Sequence, residues 1–566
     1  MKNLMHLRPI ALALALAGAA LASQAHAGSG KEWNTYGGDQ ANTRHSTLTQ
    51  INTKNVHQLK VSWVRSLGSL ESQESTPLVI GDTMYVTSSA GPRYVYALNA
   101  RDGSIKWVYE PEIASDFAQY ACCGIGNRGV AFADGKVFVG RLDGKLVALD
   151  AANGKELWTA KVSNYKEGAG ITSPPLIVKN LVITGYAGGE FGVRGALQAY
   201  DQKTGKEVWK TYTTPGAGEA GSDTWKGDSA KDGGATAWYV GAYDAKLNLV
   251  YWGTGNAGPW GNSPRGNDSA DIGPYDNLHT VSTLAFNPDT GKIVWSYQET
   301  PAEVWDFDGV NEQILTDLKV GGKKVPALLK ASRNGFFYVL NRETGKLLAA
   351  DPFVTVNWAK KIDLNTGRPV ENPEKRPLLN KWAKNVCPSV FGGKNWEPMS
   401  YNPTTKLVYI PAIEACMDIM NKAESREIGK FYLGTDMRMD PAPDLPHPSR
   451  LVAWNPETRK EVWAINDDIP LSFGGTMNTD GGLVFFGTVR GWVNAVDART
   501  GKALWKFNAG SGIMQSPVTY MIDGKQYVAV VAGRIKGPPS FMGKKGEGVI
   551  KASPEGGHLM VFELPD

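Results

Sequence analysis

Short stretches in which apolar and polar residues alternate recur along the whole chain, each ended by a turn cluster, and this period of two predicts β-strands rather than helices. One unit repeats: ALNARDGSIKW from Ala97, ALDAANGKELW from Ala148, AYDQKTGKEVW from Ala199, AFNPDTGKIVW from Ala285. Three further copies vary it. VLNRETGKLLA from Val339 ends in Ala349 instead of Trp, AWNPETRKEVW from Ala453 carries Arg459 in place of Gly, and AVDARTGKALW from Ala495 is complete. Each reads as a strand, a tight turn whose Gly needs positive φ, and a second strand ending in Trp, that is, a β-hairpin.

Trp107, Trp158 and Trp209 stand 51 residues apart. That spacing is too long for one hairpin and suits a four-stranded sheet with a second hairpin, such as STPLVIGDTMYVTSS, ahead of each unit. Seven units predict seven blades. An eighth can be assembled from HLMVFEL (His558 to Leu564) and LKVSWVRSL around Trp63, which closes the ring with both chain ends in one blade. The expected fold is an all-β, eight-bladed β-propeller of four-stranded antiparallel blades, a single domain over residues 28–566. Two intervals are stretched, 86 residues from Trp209 to Trp295 and 114 from Ala349 to Trp463. The second hides a poorer hairpin at MSYNPTTKLVYIPA, and its remainder, including Asn421 to His447, is expected to be loop. Such excursions are where a propeller carries binding chemistry.

Composition agrees with this pattern. The 566 residues hold 65 Gly, 18 Trp and 21 Tyr but only four Cys and seven His, and six of the Trp end repeat units, where the plain reading is packing between blades. The net charge of +4 comes with no basic stripe, which argues against a nucleic-acid partner. Lys2 and Arg8 precede a short apolar run ending in Ala25-His26-Ala27, the pattern of a secretory signal peptide over residues 1–27. No other stretch is long and apolar enough for a membrane span, so the expected location is the periplasm, an oxidising compartment.

Candidate chemistry concentrates off the repeat. Cys122 and Cys123 are adjacent in QYACCGIGNRG. Four Cys allow three pairings; Cys122 with Cys123 and Cys387 with Cys416 matches proximity, the alternative for the adjacent pair being reduced core cysteines. GIGNRG has the letters of a dinucleotide fingerprint, but no strand-to-helix unit surrounds it. Glu190 in GGEFGVRG, Asn256 in WGTGNAGPW and Asp306 in WDFDG are hard oxygen donors, and no His or Cys cluster offers a transition-metal site.

Together, the hairpin units, Cys122-Cys123 followed by Asn127-Arg128-Gly129, GGEFGVRG, WGTGNAGPW, WDFDG and GGKNWEP resemble the periplasmic quinoprotein alcohol dehydrogenases that use pyrroloquinoline quinone (PQQ). The resemblance covers essentially the whole chain after residue 27. It implies a PQQ on the propeller axis beside one metal ion, with Glu190, Asn256 and Asp306 as metal ligands. Asp308 gives an Asp-x-Asp form that resembles the lanthanide-dependent branch; a third carboxylate suits a trivalent ion, with calcium the alternative. For the quinone the resemblance points to Glu74, Arg128, Thr172, Gly188, Gly189, Thr236, Trp238, Arg333 and Asn395, with Trp238 on one face and the Cys122-Cys123 ring on the other. It implies that the metal polarises the quinone, that Asp306 takes the alcohol proton while hydride passes to the cofactor, and that Arg333 stabilises the developing charge. Phe473 stands where a pocket Trp is usual, and GRIKGPPSF, with Phe541, replaces a late Gly-Gly-Trp segment, so a pocket roomier than methanol needs is expected. No C-x-x-C-H is present, which makes a soluble cytochrome c the expected electron acceptor; a homodimer stays open. The competing expectation is a non-catalytic propeller scaffold of the outer-membrane assembly type, which would need the repeat alone.

Overall fold

The computed structural model describes residues 29–69, 73–88, 94–439 and 445–566. The expected signal peptide, 1–27, lies outside them. Among the described residues the chain builds seven four-stranded antiparallel sheets, and an eighth to which His45–Ser46 adds a fifth, parallel strand. The repeat unit forms the outer half of seven of these sheets, as with Val95–Asn99 and Ile105–Tyr109. The preceding hairpin forms the inner half, as with Leu78–Ile80 and Thr83–Thr87.

Why the unit ends in Trp and turns on Gly is visible where one sheet meets the next. A Cβ placed on Gly154 would stand 2.6 Å from the ring of Trp107, one on Gly205 2.6 Å from Trp158, one on Gly291 2.6 Å from Trp209, and one on Gly501 2.7 Å from Trp463. Each of these Trp therefore lies flat on the positive-φ turn Gly of the next sheet, and any side chain there would collide. The indole N–H then donates to the successor's turn, from Trp107 to Ala151 O at 2.9 Å and from Trp209 to Pro288 O at 2.7 Å. The two irregular units are partners in this scheme. Ala349 has no ring to dock, and the following unit is the one that dispenses with Gly. Arg459 adopts φ +61 and pairs with Asp351, which shares a face of its strand with Ala349.

The chain ends meet in one sheet. Lys60–Ser66 pairs with Gly557–Glu563, from Lys60 opposite Glu563 to Ser66 opposite His558, and Trp63 docks on Gly103. The architecture is an all-β propeller. The long excursion departs from the expected loop: Ala383–Val386, Met417–Asn421 and Thr435–Arg438 form a three-stranded sheet of their own. Thr435–Arg438 falls inside the stretch expected to be loop, because its pairing partner is in the excursion and not in the repeat. Two short helices, Gly537–Ser540 and Lys544–Ala552, precede the closing strand. No described helix is long and apolar enough to cross a membrane.

Candidate active site

Because the inner strands of every sheet run the same way about the ring, the segments entering the first strand and leaving the second all open on one face. Glu74, Arg128, Thr172, Trp238, Asp308 and Asn395 each stand shortly before a first strand. Glu190 and Arg333 follow second strands, and all eight line one cavity. Cys122, Cys123, Asp306 and Phe541 line it as well. A repeat of this kind thus converts residues scattered along the chain into neighbours on one face.

One side of the cavity is an aromatic and cationic wall. The Arg128 guanidinium lies 4.7 Å from the ring centre of Trp396 and 5.3 Å from that of Trp238, and its Nη2 pairs with Glu74 Oε2 at 2.8 Å. Burial pushes the Glu74 carboxyl up, and Arg128 counters it. Trp238 is fixed from behind, since its carbonyl accepts from Thr172 Oγ1 at 3.2 Å and from Ser173 Oγ at 2.9 Å. Cys122 and Cys123 are joined by a disulfide, as are Cys387 and Cys416. A Cβ on Gly537 would stand 2.1 Å from Cys123 O, so the GRIKGPPSF segment rests on the adjacent-cysteine turn and brings Pro538 and Phe541 to the cavity.

The other side is acidic. Arg333 Nη1 pairs with Asp308 Oδ2, and Nη2 with Asp306 Oδ2 at 3.1 Å. Asp308 Oδ1 accepts the backbone N–H of Asn256 at 2.7 Å, which ties the WDFDG turn to the WGTGNAGPW loop. A Cβ on Gly189 would stand 2.5 Å from Asn256 Oδ1, so this glycine lets the Glu190 turn close on Asn256. Burial pushes Asp306 well above the usual carboxylate range, with Arg333 opposing and Asp308 and Glu190 reinforcing. Burial and the Asp308 charge push Glu190 up to about 7.

These donors suit a hard cation in chemistry: two of the buried oxygens, Asp306 Oδ1 and Asn256 Oδ1, have no hydrogen-bond partner, which a buried polar atom rarely lacks. Thr236 Oγ1 is a third such atom. Among the described residues no three His, Cys, Asp or Glu side chains are placed to hold a metal by themselves. The amide oxygen of Asn256 is part of any such set, and Arg333 supplies the counter-charge between Asp306 and Asp308. The donors for a flat anionic cofactor also fit, with Trp238 and the Cys122-Cys123 turn both facing the cavity and Arg128 at its rim.

Phe473 is a correction. It opens the strand Phe473–Thr479 and packs edge-on against Phe486 at 5.7 Å, in the core between two sheets, away from the cavity. The glycines that follow it are closely covered, a Cβ on Gly475 meeting Pro398 and one on Gly474 meeting Ile513. Sequence reasoning also missed several residues. Trp396 stands inside GGKNWEP, a motif already singled out, and its ring meets the buried Arg128 only in the fold. Trp260, Phe391, Phe431, Leu433 and Met437 complete an apolar wall of the cavity, the last four from the long interval between Ala349 and Trp463. Its backbone reaches the acidic side directly, the N–H of Tyr432 donating to Glu190 O at 2.7 Å.

A propeller whose face gathers these groups defines the class of the PQQ-dependent dehydrogenases. The model of the family described as "Glucose/ethanol/alcohol dehydrogenase, beta-propeller domain" matches residues 33–350 and 453–528, and the chain belongs to that family. It is 42% identical to a lanthanide-dependent methanol dehydrogenase of Methylacidiphilum fumariolicum, over 94% of this chain and 92% of the relative. It is 41% identical to the quinoprotein alcohol dehydrogenase PedH of Pseudomonas putida, over 92% and 89%. Among solved structures, a europium-containing methanol dehydrogenase superposes with a TM-score of 0.89 at 41% identity, covering 94% of this chain and 98% of that one.

Proposed function

We propose that the chain is a periplasmic quinoprotein alcohol dehydrogenase built on eight blades, which holds PQQ and one lanthanide ion and passes electrons to a soluble cytochrome c. The observation that carries this reading is the pair of partnerless buried oxygens, Asp306 Oδ1 and Asn256 Oδ1, beside Glu190, Asp308 and Arg333 in a cavity whose other wall is Trp238 and the Cys122-Cys123 turn. Glu190, Asn256, Asp306 and Asp308 would hold the metal. Glu74, Arg128, Thr172, Thr236, Trp238, Arg333 and Asn395, with the Gly188-Gly189 turn, would hold the cofactor. When bound, the metal supplies Lewis-acid polarisation and PQQ supplies the hydride-accepting quinone.

The chain's own residues supply the rest. Asp306, buried beside the cavity, is the carboxylate placed to take the proton of an alcohol hydroxyl. Arg333 donates to Asp306 Oδ2 and so orients that carboxylate while holding a positive charge where negative charge develops. The Trp238 ring and the cysteine turn would exclude water from the faces of a flat cofactor held between them.

Trp260, Phe391, Phe431, Leu433, Met437 and Phe541 favour primary alcohols with an apolar or aryl tail over methanol. Each buried methylene is worth about 0.8 kcal/mol, close to fourfold in kcat/KM. The test is dye-linked oxidation of an alcohol series by purified protein loaded with PQQ and either lanthanum or calcium. Expected is a rise in kcat/KM from methanol to butanol and 2-phenylethanol, with lanthanum the better metal. Failure to bind PQQ with either metal would sink the reading, and a preference for methanol would sink its substrate part.

A further inference from the structure

The turn that carries Asp306 has an uncommon backbone. Asp306 adopts φ +62, a left-handed conformation that a non-glycine residue keeps only when its surroundings impose it. Glu303 is what imposes it. Its Oε1 accepts the backbone N–H groups of Trp305 at 2.5 Å and Phe307 at 2.8 Å, the two residues flanking Asp306. Its Oε2 is buried with no hydrogen-bond partner.

Glu303 is itself anchored. Its carbonyl accepts from Arg265 Nη2, the same nitrogen donates to Trp260 O at 2.7 Å, and Arg265 Nε donates to Pro259 O at 2.8 Å. Arg265 is wholly buried, so one guanidinium fastens the loop after Asn256 to the turn before Asp306. A buried anionic oxygen left without a partner is costly. That cost falls when a cation of high charge is near.

We propose that Glu303 is a positioning residue for Asp306, fixing the turn with one carboxylate oxygen and, with the other, adding a fourth buried negative charge that favours a trivalent over a divalent ion. The inference rests on reading Glu190, Asn256, Asp306 and Asp308 as the metal site. Its role is distinct from that of a ligand, since its hydrogen bonds go to backbone.

The experiment compares the full-length protein with Glu303→Gln, which keeps an acceptor oxygen but loses the charge, and Glu303→Asp, which keeps the charge but loses reach. Terbium luminescence sensitised by the site tryptophans, displaced by lanthanum or by calcium, gives both affinities without turnover. Hydrogen exchange at the Trp305 and Phe307 amides reports the turn. Glu303→Gln is expected to weaken lanthanum at least tenfold and calcium by a clearly smaller factor. Glu303→Asp is expected to speed exchange at both amides and weaken both metals together. Wild-type affinities in both variants, or a lower melting point alone, would overturn the proposal; should Glu303→Gln not fold, unchanged amide exchange in Glu303→Asp would do so. A wild-type protein that binds neither ion overturns the metal-site reading instead.

Discussion

Asp308 is the residue on which the charge of the site turns, and it already serves two partners: Arg333 at one oxygen and the Asn256 N–H at the other. Asp308→Ala therefore removes a charge, frees a buried guanidinium and unties two loops at once. Lanthanum affinity is expected to fall at least tenfold and calcium-supported turnover much less, read by metal titration and by the dye-linked assay with each ion. Equal or better wild-type activity with calcium would contradict the role assigned to this residue. Away from the site, burial pulls His279 down to about 4 from its ordinary 6.5. Between those values the folded chain binds fewer protons than the unfolded one, so this contribution to stability is complete above about pH 6.5 and is lost as pH falls toward 4. Replacing His279 by Gln is expected to flatten denaturant-melt stability across that window by up to about 3 kcal/mol, with little change at pH 8. An unaltered pH profile would show that His279 is not the group responsible.

At the scale of the element, the docking of Trp on Gly makes two irregular repeats into one exchange: the unit without Trp is followed by the unit without Gly. Ala349→Trp alone drives a ring into the Arg459 turn and is expected to cost about 1–3 kcal/mol. Arg459→Gly alone relaxes a positive φ but loses a surface pair with Asp351, and should change stability by less than about 1 kcal/mol. Combined, they recreate the regular contact, so a double-mutant cycle should show favourable coupling of about 1–2 kcal/mol, and additivity would refute the exchange. This contact explains why the fold was legible. Each unit repeats turn, strand and Trp in one window, and the period of two survives burial on one face. That Asp306, Glu190 and Asn256 were candidates was legible because short motifs carry them; that the fold brings them together was not. Phe473 was misread because one step along a strand reverses the face a side chain occupies, and sequence fixes such a register poorly near Gly-Gly. Phe431 and Met437 were overlooked because their proximity is made by the ring and by an excursion with its own sheet, so nothing at fixed spacing announces them; Trp260 closes WGTGNAGPW and was passed over within a motif chosen for Asn256. Glu303 was hidden for a different reason, since an acceptor of backbone N–H groups leaves no pattern of side chains to find.

For the molecule as a whole, the cavity exists only while the ring is shut, because its lining is contributed piecemeal by successive sheets and by the segment just before the closing strand. Pairing of Lys60–Ser66 with Gly557–Glu563, Trp63 against Gly103 and the edge of Trp505 on Phe562 at 5.1 Å hold that closure. A closed ring that binds its ligands only when folded must be stabilised by them through mass action, by about 2.7 kcal/mol at a hundredfold excess over Kd. For a chain of this length the unfolding entropy makes that about 2–3 °C. Calorimetry of the full chain should therefore show a single main transition that moves up by about this amount for each ligand, and by about twice as much with lanthanum and PQQ together. A chain ending before Gly557 lacks one strand of the closing sheet, and its melting temperature should not respond to the ligands even where its circular dichroism keeps the β signature. A ligand-induced shift of the same size in the shortened chain would mean that the site is held by neighbouring sheets alone and that closure serves stability and not binding.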